Sequence, residues 1–207
     1  MGSMDTKGLE KYAREYFAEE IKSVQGLDLK KVEQIVAAMI KAYSEDKQIF
    51  LFGNGGSAST ASHFACDLGK GTISGCEPWD KGVLKGKKRF RVVCLSDNIP
   101  LMTAWANDTS YADIFSEQLE GLVNRGDVVI GISGSGNSPN VLNAIKLANS
   151  KGAATVGMTG YEGGKLKDLA KICLVVPSNS MRKIEDIHLM LQHMITAYLY
   201  EEIKKQK

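Results

Sequence analysis

Five short, mostly apolar runs divide the chain, and segments of helical periodicity lie between them. The runs cover residues 49–52, 90–95, 127–132, 153–158 and 172–176. Strands that are apolar on both faces must be covered on both faces, and the helical segments between them can provide that cover as crossover connections. The pattern predicts an α/β protein built on a parallel sheet of five strands.

Two amphipathic helices are predicted before the first strand. Apolar residues keep helical spacing from about residue 5 to residue 25, where Gly26 ends the pattern, and again from Leu29 to Tyr43, behind Asp28 as N-cap. These helices are not expected to fit inside a three-layer core, so they must pack on its flank or on another subunit. We expect an oligomer, and a single domain over residues 1–207 in which a helical pair, 1–45, precedes an α/β core, 46–207.

The composition excludes several classes of protein. Of the 207 residues 24% are charged and 43% hydrophobic, and a net charge of +2 gives no reason to expect nucleic acid or an anionic membrane as partner. No apolar run approaches the roughly 20 residues of a membrane-spanning helix, and the N-terminus lacks the apolar core of a signal peptide. Cysteines without a CxxC motif predict reduced core thiols in a cytoplasmic protein. They are Cys66, Cys76, Cys94 and Cys173.

The segments between the runs give further expectations. Residues 71–88 are rich in Gly and Lys and predict an exposed loop. Helical patterns cover 101–106 and 111–123, with the polar pair 107–108 as a break between them. The last helix is predicted from about Met181 to Lys204.

Two of the apolar runs end in turns that suit an anion. The first glycine turn, residues 53–57, reads Gly-Asn-Gly-Gly-Ser and precedes a helix, so backbone N–H groups and the positive end of the helix dipole favour a phosphate or carboxylate. The serine turn, residues 133–138, adds three hydroxyls in the same context. Because neither GxxxxGK[ST] nor a complete GxGxxG occurs, a nucleotide triphosphatase and a dinucleotide site are disfavoured.

Histidine is scarce, and its spacing suggests a metal site. His63 and Asp67 are four residues apart, so they share one face of the predicted helix and could bind a divalent ion jointly. In the last helix Glu185 could act with His188 or with His193. Glu185 and His193 lie about 12 Å apart along the helix axis. Spacing alone leaves the choice between the two histidines open.

The motifs, taken in order, resemble a known family. They are GNGGSASTASHFACDL, the AND at 106–108, GDVVIGISGSGNS, TGYEGGKL and IEDIHLMLQH, behind two leading helices. Together they extend over nearly the whole chain and are similar to those of SIS domain proteins, within them the phosphoheptose isomerases. The resemblance implies a three-layer α/β/α sandwich of flavodoxin-like type, assembled as a homotetramer with active sites between subunits.

The resemblance also assigns site residues. The phosphate loop falls on Ser133, Gly134, Ser135 and Ser138, with Gly134 in place of the family's threonine. The other substrate-binding positions fall on Asn54, Gly55, Gly56, Ser57, Asn107 and Asp108. The positions for one zinc ion fall on His63, Asp67, Glu185 and His193, which selects His193 over His188. The family has glutamate where this chain has Asp67, and glutamine where it has Glu185.

The activity implied by the resemblance is isomerisation of sedoheptulose 7-phosphate to D-glycero-D-manno-heptose 7-phosphate. A base moves a proton between C1 and C2 through an enediolate, with zinc as Lewis acid. The proton carrier is Asp67 or Glu185, with His193 as partner acid or base. Two alternatives stay open: the same reaction on a pentose or hexose phosphate, and a noncatalytic tetramer that binds a protein. Retention of His193, which a noncatalytic relative lacks, favours the enzyme.

Overall fold

A computed structural model describes residues 5–75 and 82–206. The helices are α1 (Leu9–Gln25), α2 (Leu29–Ser44), α3 (Gly56–Cys66), α4 (Thr72–Ser74), α5 (Ile99–Asp108), α6 (Ser116–Glu120), α7 (Pro139–Ser150), α8 (Gly164–Leu169) and α9 (Met181–Lys205). The strands are β1 (Gln48–Gly53), β2 (Arg91–Cys94), β3 (Val128–Ile132), β4 (Ala154–Thr159) and β5 (Ile172–Val175). A π-helical turn, Asp67–Gly71, joins α3 to α4, and a 3₁₀ turn, Leu95–Asp97, follows β2.

The strands form one parallel sheet in the order β2-β1-β3-β4-β5. The predicted five-stranded parallel sheet is therefore confirmed. From β1 the chain crosses to β2 on one side, whereas from β3 it crosses to β4 on the other. The order thus reverses between β1 and β3, and in open parallel sheets such a switch point leaves a crevice at the carboxyl ends of the two strands.

Helices cover both faces of the sheet, which gives the predicted three layers. Along β1 the side chains alternate, so Ile49 and Leu51 pack on one face while Phe50 and Phe52 pack on the other. The first face is covered by α2, α3 and α9, and the second by α6, α7 and α8. Because both faces are buried, the strands need the nearly continuous apolar runs seen in the sequence.

The second helix belongs to the layers themselves. Asp28 caps it by accepting a hydrogen bond from the Lys30 N–H at 3.0 Å, as predicted. Its apolar face is buried in the core, with Ile35 and Met39 fully inaccessible. The expectation that neither leading helix fits inside the layers is therefore wrong for α2, because β5 and β1 leave a sheet face that α2 covers.

The first helix lies outside the layers. It begins at Leu9 rather than near residue 5, because Gly8 precedes it in a left-handed conformation at φ 89°. Polar contacts attach it to the start of α9: the Tyr16 hydroxyl donates to the Asp186 carboxylate at 2.6 Å, and Lys183 pairs with Glu19. Four of its large apolar side chains remain more than half exposed: Leu9, Tyr12, Phe17 and Ile21.

Three segments differ from the sequence-based expectation. Helix α5 runs through to Asp108, so the polar pair 107–108 ends that helix rather than separating two helices. Only Ser116–Glu120 of residues 111–123 is helical, because the Ser110 hydroxyl accepts the Ala112 N–H and donates to Asp113, which holds a turn there. The predicted loop 71–88 contains the short α4, and its residues 76–81, with Cys76, lie outside the described residues.

The cysteines are only partly buried. Cys94 is buried and Cys173 half-buried, but Cys66 is exposed, so the expectation of a core thiol is wrong there. Loss of hydration raises the pKa of the Cys94 and Cys173 thiols to about 11, so both stay protonated at neutral pH. Within the two described ranges no helix combines the length and apolarity needed to cross a bilayer.

Asp127 joins the starts of β1 and β3, and its replacement tests that connection. Its carboxylate, 4% exposed, accepts the Gln48 N–H at 2.9 Å and the Asn124 N–H at 2.7 Å. In Asp127→Asn an amide NH₂ must face one of these N–H groups, so we expect the free energy of unfolding to fall by about 1–3 kcal/mol in urea denaturation. The exposed Asp168→Asn control should change it by less than about 0.5 kcal/mol. Equal losses in the two variants would contradict this role.

Candidate active site

The first glycine turn joins β1 to α3 in a conformation that its glycines require. Gly55 has φ 54° and ψ −123°, and a Cβ on Gly53 would lie 2.8 Å from the Ser57 backbone. Side chains at these positions would therefore be strained or would clash. The turn directs the N-terminus of the 11-residue α3, with its free N–H groups, toward the switch point of the sheet.

The serine turn joins β3 to α7 and is braced from one side. The Ser133 and Ser138 hydroxyl oxygens lie 3.1 Å apart. The Gly134 carbonyl accepts the Gly160 N–H at 2.9 Å, and the Gly136 carbonyl accepts the Leu166 N–H at 2.9 Å. These backbone bonds fix the path of the turn against the segment that follows β4.

A pair of side-chain amides joins the two turns. The Asn54 Nδ2 donates to the Asn140 Oδ1 at 2.9 Å, and the Asn140 Nδ2 donates back to the Asn54 Oδ1 at 2.8 Å. The Tyr111 hydroxyl donates to the same Asn54 oxygen at 3.0 Å. Sequence reasoning missed Asn140 and Tyr111. The only available signal was a polar residue, Asn140, two residues beyond the serine turn.

Both turns open into one cleft of about 270 Å³. Eight of the ten residues predicted to bind substrate line it: Asn54, Gly55, Gly56, Ser57, Ser133, Gly134, Ser135 and Ser138. Ile132, Met181 and Glu185 complete the lining. The other two predicted residues, Asn107 and Asp108, are exposed at the end of α5 and do not line the cleft, so their role stays a prediction.

Neutral groups and helix ends dominate the electrostatics of the cleft. No lysine or arginine is among the described residues that line it. Attraction for an anion comes instead from hydroxyls, backbone N–H groups and the N-termini of α3 and α7, which begin at Gly56 and Pro139. The Glu185 carboxylate also lies at the start of α3, since a Cβ on Gly56 would be 2.4 Å from its Oε2.

The replacement at Gly134 is matched by a methionine. A Cβ on Gly134 would lie 2.4 Å from the Met181 Sδ, so the thioether occupies the space that a side chain at position 134 would need. The serine turn therefore has an apolar contact at the position where the resemblance implies a threonine. The Met181 thioether fills the space of the missing side chain but provides no hydrogen-bond donor in its place.

The predicted metal ligands fall into two groups. The histidine cluster consists of His63, Asp67 and His193, whose possible ligand atoms all lie within 4.8 Å of one another. The Asp67 Oδ2 is 3.5 Å from the His63 Nε2 and 3.8 Å from the His193 Nε2. Two imidazoles and one carboxylate form a donor set that suits zinc with an open fourth position. Glu185, predicted as the fourth ligand, is not part of this cluster and lies beside Gly56.

His188 is excluded from the cluster by its burial. Its ring is fully inaccessible, and its Nε2 lies 3.2 Å from the Thr159 carbonyl oxygen. Loss of hydration lowers its pKa to about 4, so the ring is neutral at pH 7. Sequence spacing left the choice between His188 and His193 open. The structure selects His193 for the cluster, because His188 lies on the face of α9 that points into the core.

A family model and several relatives match the chain. The model describes the SIS domain and matches residues 12–160. The phosphoheptose isomerase of Aliarcobacter butzleri is 37% identical over 190 residues, which cover 92% of this chain and 93% of the relative. The probable phosphoheptose isomerase of Thermoplasma acidophilum is also 37% identical, and the match covers 92% of this chain and 98% of the relative.

Solved structures agree with these matches. The phosphoheptose isomerase GmhA from Neisseria gonorrhoeae superposes with a TM-score of 0.80 at 30% identity, covering 92% of this chain and 98% of that chain. A phosphoheptose isomerase from Francisella tularensis gives a TM-score of 0.82 at 22% identity, which supports the fold alone.

Burial of His188 predicts a dependence of stability on pH. Its folded pKa of about 4 is below the unfolded value of about 6.5, so the unfolded chain binds more protons between these values and stability falls as pH falls through this window. We expect about 3 kcal/mol of the free energy of unfolding to be lost between pH 7 and pH 4 from this group. His188→Gln keeps an N–H toward Thr159 but does not titrate, and should lack that loss.

The measurement is urea denaturation of both proteins at several pH values. Other titrating groups act alike in the two proteins, so the difference between their curves isolates His188. Parallel curves over the whole range would contradict the prediction.

Proposed function

The chain belongs to the SIS domain family and, within it, to the phosphoheptose isomerases, and from this premise we propose that it converts sedoheptulose 7-phosphate to D-glycero-D-manno-heptose 7-phosphate. Membership makes the chain a phosphosugar isomerase, and the heptose is the finer step of the proposal. The observation that carries it is the cleft, where a hydroxyl-rich turn and a carboxylate line one small space.

The serine turn binds the phosphate of the substrate in this proposal. Hydroxyls of Ser133, Ser135 and Ser138 donate to phosphate oxygens, and the dipole of α7 stabilises the charge. Binding energy gained at this non-reacting end holds the sugar carbons against the catalytic groups. The backbone bonds between the turn and the segment after β4 support this role, since the positions from which the serine side chains project are already fixed.

Glu185 is the proposed proton carrier. The Asp67 carboxylate is engaged between two imidazoles, whereas the Glu185 carboxylate lines the cleft itself. Glu185 removes a proton from C1 of the ketose, the C1–C2 double bond forms, and the carbonyl electron pair moves onto its oxygen to give the enediolate. Return of the proton to C2, with proton exchange between the two oxygens, gives the aldose without any oxidant.

The histidine cluster is the proposed zinc site. His63, Asp67 and His193 would hold the ion, because their possible ligand atoms all lie within 4.8 Å of one another. When bound, zinc supplies a Lewis acid for sugar oxygens.

We further propose a homotetramer with active sites between subunits. The exposed apolar face of α1 supports this assembly, and so does α5, which has no buried residue although it carries Ile99 and Leu101. In such an assembly Asn107 and Asp108, exposed in one chain, would face a neighbouring cleft. The free thiols among the described residues support a reducing compartment, which we propose is the cytoplasm.

Exchange of deuterium into sugar phosphates, followed by NMR, tests the reaction. Wild type should introduce deuterium at C1 or C2 of sedoheptulose 7-phosphate faster than into pentose or hexose phosphates. Faster exchange into a shorter sugar would replace the heptose by that sugar, and absence of exchange with all of them would favour the protein-binding alternative.

A pair of substitutions separates proton transfer from metal binding. Glu185→Gln should retain zinc, measured by elemental analysis, but lose about 10²- to 10⁴-fold in turnover. The double variant Glu185→Gln with Asp67→Glu has the pair of residues found in the related family, and it should regain part of that turnover.

His193→Ala tests the metal site and should lose both zinc and turnover. Glu201→Gln, an exposed position on the same helix, is its control and should lose neither. Loss of zinc from Glu185→Gln would instead identify Glu185 as a fourth ligand.

The assembly is tested by charging the exposed face of α1. Phe17, 59% exposed in the single chain, should be buried between subunits. Phe17→Glu should shift the protein from tetramer toward smaller species in light scattering coupled to gel filtration, because a buried unpaired charge is costly. Lys7→Glu, an exposed position before α1, serves as control. A monomeric wild type, or a Phe17→Glu tetramer, would contradict the assembly.

A further inference from the structure

We infer that Asn54 donates a hydrogen bond to the substrate carbonyl oxygen as that oxygen becomes the enediolate oxyanion. Asn140 and Tyr111 are positioning residues, which fix the orientation of the Asn54 amide. The inference rests on the proposed isomerase function and adds to it the group that stabilises the developing charge. Such a group must be a hydrogen-bond donor that is oriented before the reaction.

The orientation of the Asn140 amide is fixed by the backbone. The Val141 N–H lies 2.9 Å from the Asn140 Oδ1 and can only donate, so the atom that it meets must be the amide oxygen. Asn140 is 1% exposed, which leaves its side chain without water as an alternative partner. The Asn140 NH₂ group therefore points toward Asn54, to whose oxygen it donates at 2.8 Å.

The orientation of Asn54 follows from that of Asn140. Its Oδ1 accepts the Asn140 NH₂ at 2.8 Å and the Tyr111 hydroxyl at 3.0 Å, while its Nδ2 donates to the Asn140 Oδ1 at 2.9 Å. A flipped Asn54 would bring two NH₂ groups together and two oxygens together. The network therefore allows only one arrangement of the Asn54 amide.

Counting donors and acceptors gives the chemistry that Asn54 offers to a ligand. An amide oxygen has two lone pairs, and both are occupied here. The amide nitrogen has two hydrogens, and one of them is used. Since Asn54 lines the cleft, it presents one N–H to a ligand and no acceptor. It can therefore donate to a substrate oxygen but cannot accept a hydrogen bond from a substrate hydroxyl, which suits an oxygen that carries negative charge and no proton.

In this reaction two kinds of substrate oxygen carry negative charge: those of the phosphate, and that of the carbonyl as the enediolate forms. The three serine hydroxyls provide donors for the phosphate. Asn54 belongs to the other turn, two residues before Gly56, where the Glu185 carboxylate lies. A proton carrier and an oxyanion donor must act on neighbouring atoms of the substrate, so the carbonyl oxygen is the partner that this placement favours.

Kinetics of Asn54 and Tyr111 variants test the inference. Asn54→Ala should lower kcat by about 10²- to 10³-fold, as removal of one oxyanion donor does elsewhere, with little change in KM. Tyr111→Phe frees one acceptor on the Asn54 amide and should lower kcat by about 3- to 10-fold. Tyr111 is 58% exposed, so its variant should fold, and Tyr12→Phe on α1 is the matched control.

Two ligands distinguish a lost oxyanion contact from a damaged site. The probes are inorganic phosphate, which reports on the serine turn, and a phosphorylated sugar hydroxamate, which mimics the enediolate. In Asn54→Ala, hydroxamate affinity measured by calorimetry should fall in parallel with kcat, while phosphate affinity should change by less than about 3-fold.

The outcomes separate this inference from the function on which it rests. Unchanged kcat with raised KM in Asn54→Ala, or equal losses of hydroxamate and phosphate affinity, would overturn the oxyanion role while leaving the isomerase intact. A wild type that binds phosphate but exchanges no proton on any sugar phosphate would overturn the proposed function, and the inference with it.

Discussion

The candidate active site depends on β1 and β3 being parallel neighbours. Gly53 at the end of β1 is the register partner of Ile132 at the end of β3, so the first glycine turn and the serine turn start at the same level of the sheet. Their helices diverge because β1 connects to one side of the sheet and β3 to the other. Two helix N-termini therefore face one crevice, a convergence that no local sequence pattern creates by itself.

In this arrangement uncharged groups can stabilise two negative charges within one site. A phosphate at the start of α7 and the Glu185 carboxylate at the start of α3 would each be stabilised by its own helix dipole and N–H groups. The described lining holds no lysine or arginine that could pair with this carboxylate and turn it away from a ligand.

Sequence reasoning found the fold and the two turns because both depend on local patterns. Apolar runs report burial on both faces, and glycine and serine clusters report turns at strand ends. The Asn54–Asn140 pair could not be predicted, since 86 residues separate the partners and only the strand order brings them together. The sequence pattern predicts a helix at Tyr111, but the turn at Ser110 keeps this residue out of any helix, and its hydroxyl reaches Asn54 from there.

The division of the predicted metal ligands follows from how α3 and α9 pack. The two helices run side by side in the same direction, so Gly56 meets Glu185 and, further along, His63 meets His193. Gly56 and His63 are seven residues apart on α3, and Glu185 and His193 are eight residues apart on α9. At 1.5 Å per residue, each of these separations is about two helical turns. Two side chains two turns apart on α9 contact different turns of α3. Glu185 therefore lies at the N-terminal end of α3 and His193 beside its last turn, so one helix pair places the carboxylate of the cleft and the histidine cluster on the same side of the sheet.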